Sequence, residues 1–363
     1  MNISENKYSS KKYIVTTGIV TIIILICIGY ISYTVDPFLQ FRVNADKHYF
    51  LNPRLVNGGL AKNADYNTVA LGSSMVQNYN ISILRAHDAS CNPVKLSTGG
   101  MNYMEMEYLY SFIKKDQVSS FIINLDIPQF NLPFEEIRYP KYLYDDGILN
   151  KLEYLYGYET CIRFTPIDIG LSIYLKDKTD ISPEYRMKTN IDEIGNNSLD
   201  NIYNGEYVKQ LYLNGTGVSF QVQEGMTERM QSRLDSLLSR LEVSKYKSAT
   251  YTFVLPPYSA LYWYHTKKAG YYSQFIDFIH YLEKSIQKYD NARIMFFFDS
   301  DEITDLNYYS DISHFSPALS DKILNNIHNE EYLLSSDNIN YKIQRLDSLV
   351  NSYIEENKDW LPK

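Results

Sequence analysis

The chain has 363 residues, of which 45% are hydrophobic and 21% charged, so it is long enough for one large globular domain or two ordinary ones. Its formal net charge is −8, and it has no basic block beyond a few lysines near its start. We therefore expect no nucleic acid among its partners.

A membrane anchor is the first element that the sequence predicts. Residues 13–34 carry no charge. At 1.5 Å per residue, about 20 such residues cross a bilayer core of roughly 30 Å. A cleaved signal peptide is the alternative, but the apolar run is longer than a usual signal sequence and Ile31–Asp36 is a poor cleavage site. No second run of this length follows, so we predict a single-pass protein of the cell membrane.

The charges around the anchor predict its orientation. Lys7, Lys11 and Lys12 precede the apolar run, whereas the first charge after it is Asp36. By the positive-inside rule, residues 1–12 form a cytoplasmic tail and residues 35–363 an extracytoplasmic domain.

The three cysteines give little guidance. Cys27 lies in the anchor, whereas Cys91 and Cys161 lie in the predicted extracytoplasmic part, where a disulfide is permitted but not required. No group of Cys and His residues has the spacing of metal ligands, so we expect neither a metal nor another cofactor.

Beyond the anchor, short apolar runs alternate with amphipathic stretches. Such β-α-β order is typical of a parallel sheet with helices on both faces, and we predict an α/β three-layer sandwich with roughly five strands. A final amphipathic helix is expected around 343–354, and Asn52-Pro53-Arg54 and Asn57-Gly58-Gly59 are interpreted as turn-rich. The predicted strands are Tyr66–Leu71, Val94–Leu96, Phe121–Leu125, Thr250–Leu255 and Arg293–Phe298.

The periodicity is lost between about residues 131 and 223. This range scatters Pro, Tyr, Asp, Asn and Gly without a clean period, and Ile191–Asn204 reads as a polar loop. Because the α/β pattern resumes afterwards, we interpret it as a large insertion that carries substrate or partner contacts. A small second domain remains an alternative.

Gly72-Ser73-Ser74 ends the first predicted strand. Catalytic groups of open α/β sheets lie just beyond the carboxyl ends of strands, and a serine there can be a nucleophile if a histidine reaches it. Gly99-Gly100 follows the second strand, where a glycine lets a backbone N–H approach the negative charge that develops in acyl transfer. Ordinary Gly/Ser and Gly-Gly turns are the structural alternatives.

Two Asp-x-x-His patterns compete for the role of base. Asp277 and His280 lie in the middle of a predicted helix, where a structural histidine is expected. Asp311 and His314 lie in a loop after the last strand, just before a helix that begins at Ser316-Pro317. Because that loop belongs at the same sheet edge as Ser74, we favour His314 as the base and Asp311 as the carboxylate that orients it.

Three blocks of the chain resemble the SGNH/GDSL hydrolase superfamily: Gly72-Ser73-Ser74, Gly100, and Asp311-Ile312-Ser313-His314. With the N-terminal anchor and Asp36-Pro37-Phe38, the chain is similar to its membrane-anchored members that acylate extracytoplasmic polymers. These include the teichoic acid D-alanyl transfer protein and the alginate O-acetylation proteins.

The resemblance implies roles for individual residues. Ser74 would be the nucleophile, His314 the general base and Asp311 its orienting carboxylate, while the backbone N–H groups of Ser74 and Gly100 would form an oxyanion hole. The superfamily expects Gly-x-Asn-Asp after the third strand, but this chain has Ile123-Asn124-Leu125-Asp126. Asn124 is therefore retained only as a further candidate donor.

The resemblance also implies a function. It predicts acyl transfer through an acyl-Ser74 intermediate onto a cell-surface polysaccharide or teichoic acid, with a multipass membrane acyltransferase as the partner that supplies the acyl group. An esterase that acts on the same polymers is one alternative. A non-catalytic glycan-binding or scaffold subunit is the other.

Overall fold

The structure is a computed structural model that describes residues 3–43, 52–132, 136–175, 192, 196, 201–215 and 224–362. Much of the predicted insertion, including most of the polar stretch Ile191–Asn204, lies outside the described residues. The described parts of the insertion are largely helical.

A six-stranded sheet forms the centre of the domain, with strand order β2-β1-β3-β4-β5-β6. The first five strands are parallel, as the β-α-β order predicted, and β6 pairs antiparallel to β5 at the edge. β6 was not predicted, because a two-residue strand is too short to show a period. The strands are β1 Thr68–Gly72, β2 Pro93–Ser97, β3 Ser120–Asn124, β4 Thr250–Leu255, β5 Ala292–Phe296 and β6 Leu333–Leu334.

Fourteen α-helices lie in the described part of the chain. They are α1 Ile3–Val35, α2 Pro53–Asn63, α3 Ser74–Gln77, α4 Ser82–His87, α5 Tyr103–Ser111, α6 Lys141–Tyr144, α7 Ile148–Tyr156, α8 Thr165–Leu175, α9 Gly205–Leu213, α10 Met226–Leu241, α11 Ala260–Lys268, α12 Tyr272–Ile286, α13 Pro317–Asn325 and α14 Ile339–Asn357. A π-helical segment, Glu159–Phe164, joins α7 to α8.

The interpretation of 52–54 and 57–59 as turn-rich was wrong, because α2 begins at Pro53 and continues through two glycines. Asn52 caps the helix by accepting the N–H of Arg54. Gly58 and Gly59 are needed for close approach rather than for a turn, since a Cβ on Gly58 would lie 2.8 Å from the carbonyl oxygen of Leu143. The glycines therefore let α2 pack tightly against neighbouring backbone.

Among the described residues, one helix, α1, is long and apolar enough to cross a membrane, over Ser10–Val35. It ends where the sequence predicted, and Asp36 follows it with a left-handed φ of 50°. The Asp36 carboxylate is buried and accepts the backbone N–H groups of residues 40, 41 and 42 at 2.8, 2.9 and 3.1 Å. Tyr154 of α7 donates its hydroxyl to the same carboxylate at 2.7 Å. These bonds fix the direction in which the helix leaves the domain.

Candidate active site

The first block of the site is a sharp turn from β1 into α3. Ser73 caps α3 and Ser74 is its first residue. Gly72 is required by packing, because a Cβ there would lie 2.6 Å from Cγ2 of Val76 and 2.9 Å from Cβ of Asn124. The turn leaves Ser74 half-buried at the carboxyl edge of the sheet, which is where the sequence placed it.

The loop after β5 carries Asp311 and His314 to the same edge. An antiparallel bridge between Tyr309 and Phe315, and a bond from the N–H of Ser310 to the carbonyl of His314 at 2.9 Å, close the loop on itself. Ser259, just beyond β4, holds it by donating its hydroxyl to the Ile312 carbonyl at 2.6 Å. The loop that carries His314 is thus held by a hydrogen bond to the segment that follows β4.

Ser74, His314 and Asp311 form one chain of hydrogen bonds. Oγ of Ser74 lies 2.8 Å from Nε2 of His314, and Nδ1 of the same ring lies 2.6 Å from Oδ2 of Asp311. Oδ1 of Asp311 accepts the backbone N–H groups of Ser313 and His314 at 2.7 and 2.8 Å. An ionised carboxylate can only accept, so Nδ1 carries the proton and Nε2 is free to accept the proton of Ser74.

The electrostatics favour this protonation pattern. Burial raises the pKa of Asp311, but hydrogen bonds from the ring and backbone of His314 and from the backbone of Ser313 outweigh it and hold that pKa well below 3.8. Burial lowers the pKa of His314, whereas the hydrogen bond and charge of Asp311, with the charge of Asp126, raise it above 6.5 on balance. Asp311 is therefore ionised at neutral pH, and it stabilises the imidazolium that forms when His314 takes a proton.

The competing pair lies elsewhere. Asp277 and His280 are both exposed on α12, as expected for a structural pair on a helix surface.

Among the residues that the structure describes, the backbone N–H groups of Ser74, Gly99 and Gly100 have no hydrogen-bond acceptor. Gly100 is exposed and has a φ of 63°, a conformation that favours glycine. The N–H groups of Ser74 and Gly100 are the two that the resemblance assigned to an oxyanion hole.

Two arginines hold the loop that contains Gly100. Arg54 of α2 donates to the carbonyl of Gly99 at 2.9 Å, and Arg138 donates to the carbonyl of Gly100 at 2.5 Å. Both guanidinium groups also bind the completely buried carboxylate of Glu105, at 2.5 and 2.6 Å. The Gly99 carbonyl and the Gly100 N–H belong to one trans peptide and therefore point in opposite directions. The bond from Arg54 to this carbonyl thus directs the Gly100 N–H away from Arg54.

Sequence reasoning missed this cluster. The available signal was Asn102 followed three residues later by Glu105, the spacing of a capping box at the start of α5.

Asp126 is the centre of a second buried cluster, immediately behind the turn from β1 into α3. Ser73 donates its hydroxyl to Oδ2, and Gln129 donates to the same oxygen at 2.8 Å. Asn124 and Tyr258 donate to Oδ1 at 2.8 and 3.1 Å. Asn124 is completely buried, so the amide that the sequence left as a further donor binds Asp126 behind the site.

Cys91 and Cys161 are free thiols in this structure. Within the described residues, no three potential ligand side chains are grouped to hold a metal ion.

No protein-family model matches the chain, and no curated protein matches it either.

Proposed function

We propose that the chain is a membrane-anchored serine acyltransferase of the SGNH three-layer type, which transfers an acyl group to an extracytoplasmic glycan or teichoic-acid-like polymer. The observation that carries the proposal is the continuous series of hydrogen bonds from Ser74 through His314 to Asp311. Nucleophile, base and orienting carboxylate in this order are the parts needed to activate a serine.

In the first half-reaction, Nε2 of His314 takes the proton of Ser74 while Oγ attacks the acyl carbonyl. The negative charge moves to the carbonyl oxygen, which the N–H groups of Ser74 and Gly100 can stabilise. Collapse breaks the bond to the leaving group, which receives the proton from His314, and leaves the acyl group as an ester on Ser74.

In the second half-reaction, His314 takes the proton of an acceptor hydroxyl, whose oxygen attacks the acyl-serine. Cleavage of the ester returns the proton to Oγ of Ser74, so the protein is regenerated. Water in place of the sugar hydroxyl gives hydrolysis by the same steps. The side chain of His314 is 39% exposed, which favours an esterase as the second candidate function.

Membrane anchoring by α1 supports a role at the cell envelope. We place the N-terminus in the cytoplasm and the domain outside, because Lys7, Lys11 and Lys12 precede the apolar run and Asp36 follows it. Activated acyl groups are made inside the cell, so an acyl donor must reach this site across the bilayer. A multipass membrane acyltransferase is the partner that this route requires.

The first test is labelling of the full chain in detergent with a fluorophosphonate probe that reacts with activated serines. We expect labelling of the parent, loss of labelling in Ser74→Ala and His314→Ala, and retention in His280→Ala, the matched control from the other Asp-x-x-His pair. Equal labelling of Ser74→Ala and the parent would refute the proposed nucleophile.

A second test separates the catalytic proposal from a scaffold role. Ser74→Ala replaces the parent in cells, and polymer acylation is measured at matched protein levels. Loss of acylation supports catalysis, whereas unchanged acylation would leave only a binding or scaffold function. The protein that carries a labelled acyl group on Ser74 is then incubated with polymer or with water alone. Label on the polymer indicates transfer, whereas release of the free acid indicates hydrolysis.

A further inference from the structure

The helices that follow α6 lie beside the end of the apolar helix α1. A Cβ on Gly29 would touch the ring of Tyr156 of α7, and Oγ of Ser32 lies 3.3 Å from Sγ of Cys161 in the π-helical segment. All of α7, the π-helical segment and α8 contact α1. Gly29 and Ser32 belong to the last two turns of α1, which is the end nearest the domain.

This part of the domain exposes large apolar side chains. Leu149 on α7 is 75% exposed and Ile173 on α8 is 71% exposed. None of the exposed residues between 166 and 174 is charged, whereas Lys151, Glu153 and Arg163 are exposed between 148 and 165. Long charged side chains at a membrane interface can place their charged ends in the headgroup region. We call the exposed apolar side chains of residues 148–174 the apolar shelf; its main members are Ile148, Leu149, Leu152, Ile162, Ile169 and Ile173.

We propose that the apolar shelf lies in the outer interface of the bilayer and contacts lipid acyl chains beside α1. The inference rests on the membrane anchoring of α1 proposed above, and the segments that carry the shelf are in contact with that helix. Water-soluble domains rarely expose apolar patches of this kind without a partner. Here the neighbouring apolar surface is the anchor itself, which makes lipid the occupant.

Exposed tyrosine side chains support the proposed position of the apolar shelf at the membrane–water interface. Tyr30 and Tyr33 are exposed on the last turns of α1, and Tyr156 and Tyr158 are exposed beside them on the shelf. Tyrosine is enriched where membrane meets water, because its ring is apolar and its hydroxyl needs a polar partner. The shelf therefore lies at the level where the anchor leaves the bilayer.

The junction between α1 and the domain is rigid enough to hold the shelf at that level. Asp36 binds three backbone N–H groups and the hydroxyl of Tyr154, and the rings of Phe38 and Phe164 lie 5.0 Å apart in an edge-to-face contact. A flexible tether would let the domain move away from the membrane, whereas this junction does not.

A consequence concerns the height of the site. Gly59 in the middle of α2 packs against the backbone of Phe38, next to the anchor, and Arg54 in the first turn of α2 binds the Gly99 carbonyl. Half of α2, about 8 Å at 1.5 Å per residue, separates the two contacts. A shelf seated in lipid would thus hold the Gly99-Gly100 loop at a fixed, short distance from the membrane surface.

The test uses the full chain in lipid vesicles, with its three cysteines replaced by serine and one cysteine introduced at a time for a nitroxide label. The test positions are Leu149→Cys and Ile173→Cys. Ile26→Cys in α1 is the lipid-exposed control, and Tyr341→Cys, 65% exposed on α14, is the water-exposed control. Collision rates with oxygen, which concentrates in lipid, and with a water-soluble nickel chelate are then measured by electron paramagnetic resonance.

We expect labels at 149 and 173 to resemble the label at 26, with a high oxygen rate and loss of collision with the nickel chelate relative to 341. Nickel collision equal to that at 341 would overturn the proposal, and so would exclusion of both reagents, which would mean that protein covers the shelf. If the label at 26 itself collides with nickel, the anchoring proposal fails instead. Circular dichroism melting of each variant checks that it is folded.

Discussion

Replacing Asp311 by Asn is the most direct test of how the base is oriented. In the parent, Oδ1 accepts the backbone N–H groups of Ser313 and His314, while Oδ2 accepts the ring Nδ1–H. Asn has a single oxygen and must choose between these partners. If the oxygen keeps the two backbone donors, the NH₂ group faces Nδ1, which must then be unprotonated. The ring proton moves to Nε2, where it faces Ser74 and prevents proton acceptance.

The size of the effect follows from the two backbone donors. Turning the amide around would leave both backbone N–H groups without an acceptor, at a cost of about 1–3 kcal/mol each. The Nε2–H tautomer is therefore favoured by about 2–6 kcal/mol. At 1.36 kcal/mol per factor of ten, this is about 30-fold to 10⁴-fold in rate. The Asp311 side chain is 29% exposed, so water relieves part of the penalty. We therefore expect the lower part of that range, about 30-fold to 10³-fold.

The assay is the second-order rate of fluorophosphonate labelling of the full chain at pH 8, with Asp277→Asn as the matched control from the exposed pair. Nitrogen NMR of histidine-labelled protein reports the tautomer of His314 directly, with the His314→Gln spectrum as the assignment. A labelling rate for Asp311→Asn within threefold of the parent, or an Nδ1–H tautomer in that variant, would refute the reasoning.

Three further predictions concern protonation, loop position and packing. Labelling should rise with pH as His314 loses its proton, with a midpoint above 6.5 because its pKa is raised; a midpoint at or below 6.5 contradicts this. Arg54→Lys should slow labelling by about 10- to 100-fold, because the Gly99 carbonyl loses its fixed donor; an unchanged rate contradicts this. Gly72→Ala, whose Cβ would lie 2.6 Å from Val76, should destabilise the fold by about 1–3 kcal/mol and lower the thermal midpoint. Gly99→Ala, 3.8 Å from its nearest neighbour, should leave that midpoint unchanged.

The sheet and the approach of Ser74 to His314 could be predicted because both depend on local patterns. Each of the five parallel strands is a short apolar run in the sequence, and parallel strands bring their carboxyl ends to one edge of the sheet. The distinction between His314 and His280 also came from context, since a loop after a strand can reach that edge and the surface of a helix does not.

The helices α2 and α7 could not be predicted, because tertiary contacts in the folded protein outweigh or alter what their local sequences indicate. α2 contains two adjacent glycines, which disfavour a helix by about 1 kcal/mol each relative to alanine. Here the absence of side chains permits close backbone contact, and burial outweighs the propensity. On α7 the apolar side chains recur at helical spacing but face outward, so their pattern does not indicate packing against the core.

The irregular third block has a physical explanation in the structure. A side-chain oxyanion donor would need an exposed amide, but Asn124 is directed to the buried carboxylate of Asp126. That carboxylate also binds Ser73, the cap of the helix that begins with Ser74, so it fixes the turn from which the Ser74 N–H projects. Burial raises the pKa of Asp126, and its hydrogen-bond donors and the charge of His314 only partly oppose this.

Glu105 has the corresponding role for the second donor. Through Arg54 and Arg138 it holds the carbonyls of Gly99 and Gly100, and thereby the peptide that carries the Gly100 N–H. One buried carboxylate thus binds the turn that carries the Ser74 N–H, and the other binds the two arginines that hold the peptide of the Gly100 N–H. Because preorganised backbone dipoles need no reorientation as charge develops, such a site can stabilise an oxyanion without the missing side-chain amide.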